Sequence, residues 1–298
     1  MVLEAIGRMD VIIQLSAAGL AIGMIYALVA LGFVLIFNAV NVVNFSQGEF
    51  AMFPAFVVSF LLTSSHLPMW LAILGTILFA AVFGLVFNRL VYYPLRKRSF
   101  VPVIIATIGV SVFLKNIALV LFGADPRKVE PLISGVVSIF GTRVNAQYLL
   151  SIGVTAVLLT LQYLVFDRTM VGKRLQATAQ NREMASLLGV RTHVMIAATF
   201  AYSAVLGAVA GILVAPLFGV TTEIGSLIAL KAFAATVIGG FGSVPGAVAG
   251  AVFLGLVEIF GAAYISADYK DAFAFVILIA VLILRPQGFF GEKIGQKA

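Results

Sequence analysis

The chain has 298 residues, 62% of them hydrophobic and 10% charged, against about 25% charged in ordinary soluble domains. With a mean hydropathy of +1.14, too little polar surface remains to cover a water-soluble body. This excludes a nucleic-acid-binding domain despite the net charge of +7.

A helical span takes about 20 apolar residues, so the supply fits eight or nine spans. After Glu4, Arg8 and Asp10, a continuous apolar run from Val11 to Phe37 exceeds a secretory h-region and lacks a small-x-small cleavage site, so it reads as a retained span. Further spans are predicted over Phe45 to Leu62, Met69 to Val91, Val101 to Phe122, Tyr148 to Phe166, Val194 to Phe218, Ala247 to Ile265 and Ala267 to Leu284. Leu227 to Ile238 offers only twelve residues before Gly239-Gly240, about 18 Å of helix at 1.5 Å per residue, and reads as a half-span or broken helix. The expected class is an all-α polytopic membrane protein with about eight or nine transmembrane helices, one of them short or broken. Residues 1–298 form a single transmembrane domain in this reading.

Basic residues near span ends are retained on the cytoplasmic side. Twelve of the nineteen Lys and Arg fall in three places: Arg89 to Arg98, Asp167 to His193, and the tail with Arg285, Lys293 and Lys297. Placing all three in the cytoplasm puts the Gly123 to Gln147 connection outside. It also obliges three crossings between His193 and Arg285, for which the short Leu227 segment must be a real element. Counting back from Arg96 puts the N-terminus outside, unless Asn41 to Glu49 is re-entrant.

Two polar islands interrupt the apolar pattern. In Asn41-Val-Val-Asn-Phe-Ser-Gln-Gly-Glu-Phe50, with Pro54 after it, polar backbone at membrane depth is tolerated only where it is buried in protein or lines a watery cavity. One reading is a broken helix beside a transport path, with Asn44, Ser46, Gln47 and Glu49 lining it. The other is an extramembrane turn whose Asn and Ser cap the next helix. The second island, within Lys231 to Ala251, carries Gly239, Gly240, Gly242, Ser243, Pro245, Gly246 and Gly250. Paired interruptions in the two halves of a chain point to a central transport site, and here both islands can meet at the midplane. Gly239 to Gly246 lacks the Gly-Lys-Ser/Thr ending of a phosphate loop, and Gly172-Lys173 is followed by Arg174, so no ATP-binding motif is present. Among isolated charges, Lys115 lies near a span end and can snorkel to the outer interface. Glu258 lies deeper, where pairing across a helix contact or cavity is expected.

The absence of cysteine excludes a thiol nucleophile and an iron–sulfur site, and His66 and His193 cannot build a zinc site alone. No His-Glu-x-x-His or Gly-x-Ser-x-Gly occurs. Neither catalytic residues, a metal site nor a cofactor is therefore expected.

The longest basic connection, Asp167 to His193, contains a short amphipathic helix over Asn181 to Leu188. Asn181 caps it, Met184, Leu187 and Leu188 share a face, and Gly189 ends it. Gly172-Lys173-Arg174 through Ala185-Ser-Leu-Leu-Gly-Val190 resembles the cytoplasmic coupling segment of permeases in ATP-binding-cassette importers of the branched-chain amino acid type, the LivH family. Three further stretches resemble the family in the same order: Asn44 to Phe50, Gly239 to Ala251, and Arg285-Pro-Gln-Gly-Phe-Phe-Gly291. Gln47 stands where the family commonly has His, and keeps hydrogen bonding while losing titration.

The resemblance implies the importer permease fold and a position in the bacterial inner membrane. It also implies four kinds of company: a second homologous permease subunit, two cytoplasmic ABC ATPase subunits, an extracytoplasmic substrate-binding protein and the lipid bilayer. Residues 167–193 become the coupling loop, with Arg182, Glu183, Met184, Ala185, Leu188 and Gly189 docking into an ATPase groove. The expected function is a permease subunit for branched-chain or related amino acids. A self-contained ion-coupled carrier or channel for small polar solutes is the alternative.

Overall fold

The computed structural model describes residues 2–139 and 141–291, with side chains from residue 9 onward. The side chains of Glu4, Arg8, Lys293 and Lys297 lie outside that description. Helix α1 (Val2–Val40) ends where Asn41 adopts a left-handed φ of 55°, a conformation Asn tolerates better than most residues. A 3-10 turn (Phe45–Gly48) leads into α2 (Glu49–Thr63). Helix α3 (Met69–Phe87) continues through a π-turn (Asn88–Tyr92) into a last turn, α4 (Tyr93–Leu95), and α5 (Phe100–Phe122) follows.

The next connection carries a feature the sequence reading did not anticipate, an antiparallel hairpin of β1 (Val136–Ile139) and β2 (Thr142–Asn145) that pairs Val137 with Val144. Then come α6 (Ala146–Arg168), α7 (Met170–Gln180), α8 (Arg182–Leu187), α9 (Thr192–Phe218), α10 (Ile224–Gly239), α11 (Val244–Tyr264) and α12 (Lys270–Leu284).

Among the described residues, seven helical segments are long and apolar enough to cross a membrane. Helix α10 has 16 residues and α12 has 15. These nine segments make the chain a helical multi-pass membrane protein with short members, as expected. The span predicted from Ala267 starts instead at Lys270, because Ser266 and Lys270 close turns onto Gly261 and Ala267.

Lipid tails offer no hydrophobic drive between helices, so close packing of small residues holds such bundles. Gly19 and Gly23 of α1 lie one turn apart against α11, and a Cβ at Gly23 would overlap the backbone of Ala251 and Val252. Gly207 and Gly211 of α9 bring that helix onto the carbonyls of Phe50 and Ala51 in α2 in the same way. Helices α1, α2 and α9 are mostly buried within the protein, while α3, α5 and α6 keep most of their surface exposed. That exposed surface is apolar, as lipid contact requires.

The two ends of the bundle differ. At one, Thr142 of the hairpin donates to Asp10 at 2.5 Å, Gln14 donates to the carbonyl of Arg143, and the backbone of Arg127 pairs with Val220. At the other, Arg96, Lys97, Arg182 and His193 line one recess, and Phe290 pairs with Gly239. The basic stretches therefore gather at one end, and α1 begins at the opposite, hairpin end. Four helices, α9 to α12, lie between His193 and Arg285. The count of three crossings is corrected to four, since only an even number returns the chain to the same face.

Candidate translocation face and basic-end helix

The first island is folded inward at mid-depth. Asn44 is extended, and its Oδ1 accepts from the backbone N–H of Ser46 at 3.1 Å. Asn44 thus does cap the following turn, but 2% exposed inside the bundle and not in an extramembrane loop. Ser46 Oγ donates to the carbonyl of Thr107 at 2.6 Å, and Thr107 Oγ1 accepts from the N–H of Phe45. Gln47 is fully buried and its Oε1 accepts from Ser203 of α9 at 3.0 Å. Gly32 faces the Gln47 amide so closely that any Cβ there would collide with it. Glu49 opens α2, where the helix N-terminus favours an acidic group, and accepts from Ser111 Oγ at 2.8 Å.

Asn44 Nδ2, Gln47 Nε2 and Glu49 Oε2 are buried without a hydrogen-bond partner. Native interiors carry few such atoms, and each calls for an explanation.

Beside this turn, a recess of about 220 Å³ opens between α5 and α10. Its walls include Phe33, Phe45, Glu49, Ser111, Ser226 and Phe233. The lips, Ile108 and Val112 on α5 and Leu230 on α10, are exposed. The sequence reading missed Thr107 and Ser111. Their signal was a stripe: Thr107, Ser111 and Lys115 recur every four residues on one face of an otherwise apolar helix.

The second island lies at the basic end. Gly242 accepts from Asn38 Nδ2 at 3.0 Å, and Ser243 Oγ caps α11 by accepting from the N–H of Gly246. Gly239 and Gly240 are packed too tightly for a side chain, against Gly246 and the Phe290-Gly291 backbone respectively. Gly242 and Ser243 line a recess of about 610 Å³ with Phe37, Asn38 and Gln287. The glycine breakpoint of the second island lies apart from the first, but the island's own Phe233 reaches it. The Phe233 ring centroid lies 5.8 Å from that of Phe45 and 5.7 Å from that of Phe241.

A second buried carboxyl group, unlike Glu49, is paired. Glu258, 1% exposed, accepts from Lys231 at 2.7 Å and from Tyr26 at 3.0 Å, and lies 3.2 Å from Lys270. Lys231 also meets Asp271 at 2.6 Å. Lys115, expected to snorkel to the outer interface, meets Glu223 at 2.5 Å.

In the long basic connection, α8 forms as expected. Asn181 Oδ1 accepts from the N–H groups of Glu183 and Met184, and Gly189 ends the helix with φ at 82°. Met184, Leu187 and Leu188 are 56%, 81% and 80% exposed, and Glu183 is exposed as well. Arg182 and Ala185, expected on the docking face, are turned inward. They sit three residues apart, on the face opposite the exposed leucines. Arg182 donates through Nε and Nη2 to the carbonyl of Ala39 at 3.1 and 2.7 Å, and through Nη1 to Tyr92 Oη at 3.2 Å. The preceding helix α7, capped by Thr169, was not foreseen.

The sequence profile described as branched-chain amino acid transport system, permease component, matches residues 15–282. The high-affinity branched-chain amino acid transport system permease protein LivH of Salmonella typhimurium is 34% identical over 290 residues, 92% of this chain and 94% of that protein. The corresponding permease BraD of Pseudomonas aeruginosa is 33% identical over 294 residues, 94% of this chain and 96% of that one. The autoinducer 2 import system permease protein LsrC of Escherichia coli is 28% identical over 272 residues, covering 87% and 75% respectively.

Proposed function

The chain belongs to the family of permease components of branched-chain amino acid transport systems, and from that premise we propose that it forms half of an ATP-driven import path for a branched-chain or related amino acid across the bacterial inner membrane. It is a multi-pass transport subunit and not itself an enzyme. Family membership favours this reading over a self-contained carrier or channel.

In the proposed assembly, a second homologous permease faces α5 and α10 across the recess. Two ATPase subunits sit at the basic, cytoplasmic end, and a substrate-binding protein delivers solute at the hairpin end. The path runs past Glu49 and the turn containing Asn44, Ser46 and Gln47. It reaches the cytoplasm by the second breakpoint, where Gly242 and Ser243 face the opening and Gly239 and Gly240 let the backbones close up. Residues 167–193 form the coupling loop.

The observation that carries the coupling reading is the exposure of Met184, Leu187 and Leu188 on a two-turn helix beyond the spans. Such an apolar tip suits a groove in a partner. Glu183, Met184, Leu188 and Gly189 form the docking side, and Arg182 and Ala185 back it from within. Closure of the ATPase pair moves α8, and α8 moves the ends of α1 and α3 to which Arg182 is tied.

The test is ATP-driven uptake by the whole assembly. Leu188→Asp puts a charge into the docking face, and Gly189→Pro demands a φ near −65° where 82° is needed. Both variants are expected to abolish uptake and to release the ATPases on mild detergent extraction, while the binding protein keeps its affinity. Wild-type uptake in both would sink the coupling assignment.

A further inference from the structure

The recess beside the broken helix holds an acidic group with nothing to neutralise it. Glu49 is 1% exposed; Ser111 satisfies its Oε1, and Oε2 has no partner. The cation best placed to serve it, Lys115 one turn along α5, is taken by Glu223. Among the described residues Glu49 forms no ion pair. The contrast with Glu258 is instructive, since that equally buried carboxyl group has two lysines and a tyrosine around it. An ionisable group at membrane depth is costly and marks a substrate or ion pathway by default, and truncated or missing partners make the cost larger.

Apart from Ser111 and Ser226, the side chains lining the recess with Glu49 are apolar or aromatic, among them Phe33, Phe45, Ile108, Leu230 and Phe233. One anionic oxygen in such surroundings matches a solute with one cationic group and an aliphatic body.

Resting on the importer reading, we propose that Glu49 receives the ammonium group of the amino acid in transit, while Phe33, Phe45 and Phe233 flank its aliphatic side chain. Ser111 holds one carboxyl oxygen of Glu49, a residue of the recess wall, and leaves the other without a partner. No bond is made or broken; the ion pair forms on entry and dissolves on release.

The test uses the complete assembly in proteoliposomes with leucine-loaded binding protein. Glu49→Gln keeps the size of the side chain and an acceptor for Ser111. It is expected to lower kcat/KM for leucine uptake at least tenfold. Uptake equal to wild type overturns the proposal and leaves the importer reading standing, whereas a wild-type assembly that does not import on ATP overturns the importer reading. Dissociation of the permease pair in Glu49→Gln, seen by size-exclusion chromatography, assigns Glu49 to a subunit contact and also overturns the proposal.

A second variant works even if Glu49→Gln fails to assemble. The chain has no cysteine, so Ser226→Cys places a single thiol in the recess. Leucine under turnover is expected to slow alkylation of this chain at least threefold, and to lose that effect when Glu49→Gln is added. Alkylation rates that are the same with and without leucine overturn the proposal.

Discussion

Replacing Arg182 by Met keeps most of the stem and removes three donated hydrogen bonds that tie α8 to the carbonyl of Ala39 and to Tyr92 Oη. Hydrogen bonds to a charged group contribute about 1.5–3 kcal/mol each. Two of the three share one acceptor, so two acceptors set the scale, about 3–6 kcal/mol on that basis. Arg182 is only half-buried, and competition from water reduces the figure by about half, to ~1.5–3 kcal/mol. A coupling free energy of about 1–3 kcal/mol corresponds to roughly 5- to 150-fold.

The expected consequence is slippage: the ATPases still dock on Leu188 and still turn over, but their motion no longer reaches α1 and the π-turn. The assay is the ratio of leucine imported to ATP hydrolysed in proteoliposomes. That ratio should fall at least tenfold in Arg182→Met, with ATP hydrolysis within threefold of wild type. An unchanged ratio would refute the idea that Arg182 transmits force, and loss of the ATPases from the purified complex would return it to the docking face.

Two further variants probe the bundle itself. Lys231→Met strips Glu258 of its nearest cation, and breaking a buried pair by removing one partner costs about 3–5 kcal/mol. With Lys270 still 3.2 Å away, the lower end of that range applies, read as a drop in thermal inactivation midpoint. The double variant with Glu258→Met should be more stable than the single one, and additive losses would show that the two groups are not coupled. Gly23→Ile forces a side chain into the backbone of Ala251 and Val252. Overpacking of this kind costs about 1–3 kcal/mol or more, and a melting temperature equal to wild type would show that α1 and α11 do not meet there.

What the sequence revealed and what it hid divide along a physical line. Span positions, the shortness of α10 and the cap and stop of α8 are local properties, carried by runs of apolar residues, by Asn181 and by Gly189. Which face of α8 looks inward is not local. The helical spacing groups Arg182 with Ala185 and sets Met184, Leu187 and Leu188 apart, but only the nearness of Ala39 and Tyr92 decides that the arginine points in.

The partners of Glu258 were hidden for the same reason. Lys231 and Tyr26 lie 27 and 232 residues away in the chain, and a single sequence contains no trace of such a meeting. Helix α7 was obscured by its composition, since a basic stretch between spans reads as a connection unless the Thr169 cap is noticed. The broken helix was visible as an island of polar letters. That three of its polar atoms would remain without partners could only come from the packing.

The 16 residues of α10 reach about 24 Å, whereas the hydrocarbon layer is about 30 Å thick. A helix of this length covers only about four-fifths of that thickness. Phe233, on this short helix, packs edge-on or tilted against Phe33, Phe45 and Phe241. Phe233 lines the recess beside Glu49 and packs against Phe241, which lines the recess at the basic end, so the two recesses share a single aromatic wall carried by the shortened helix.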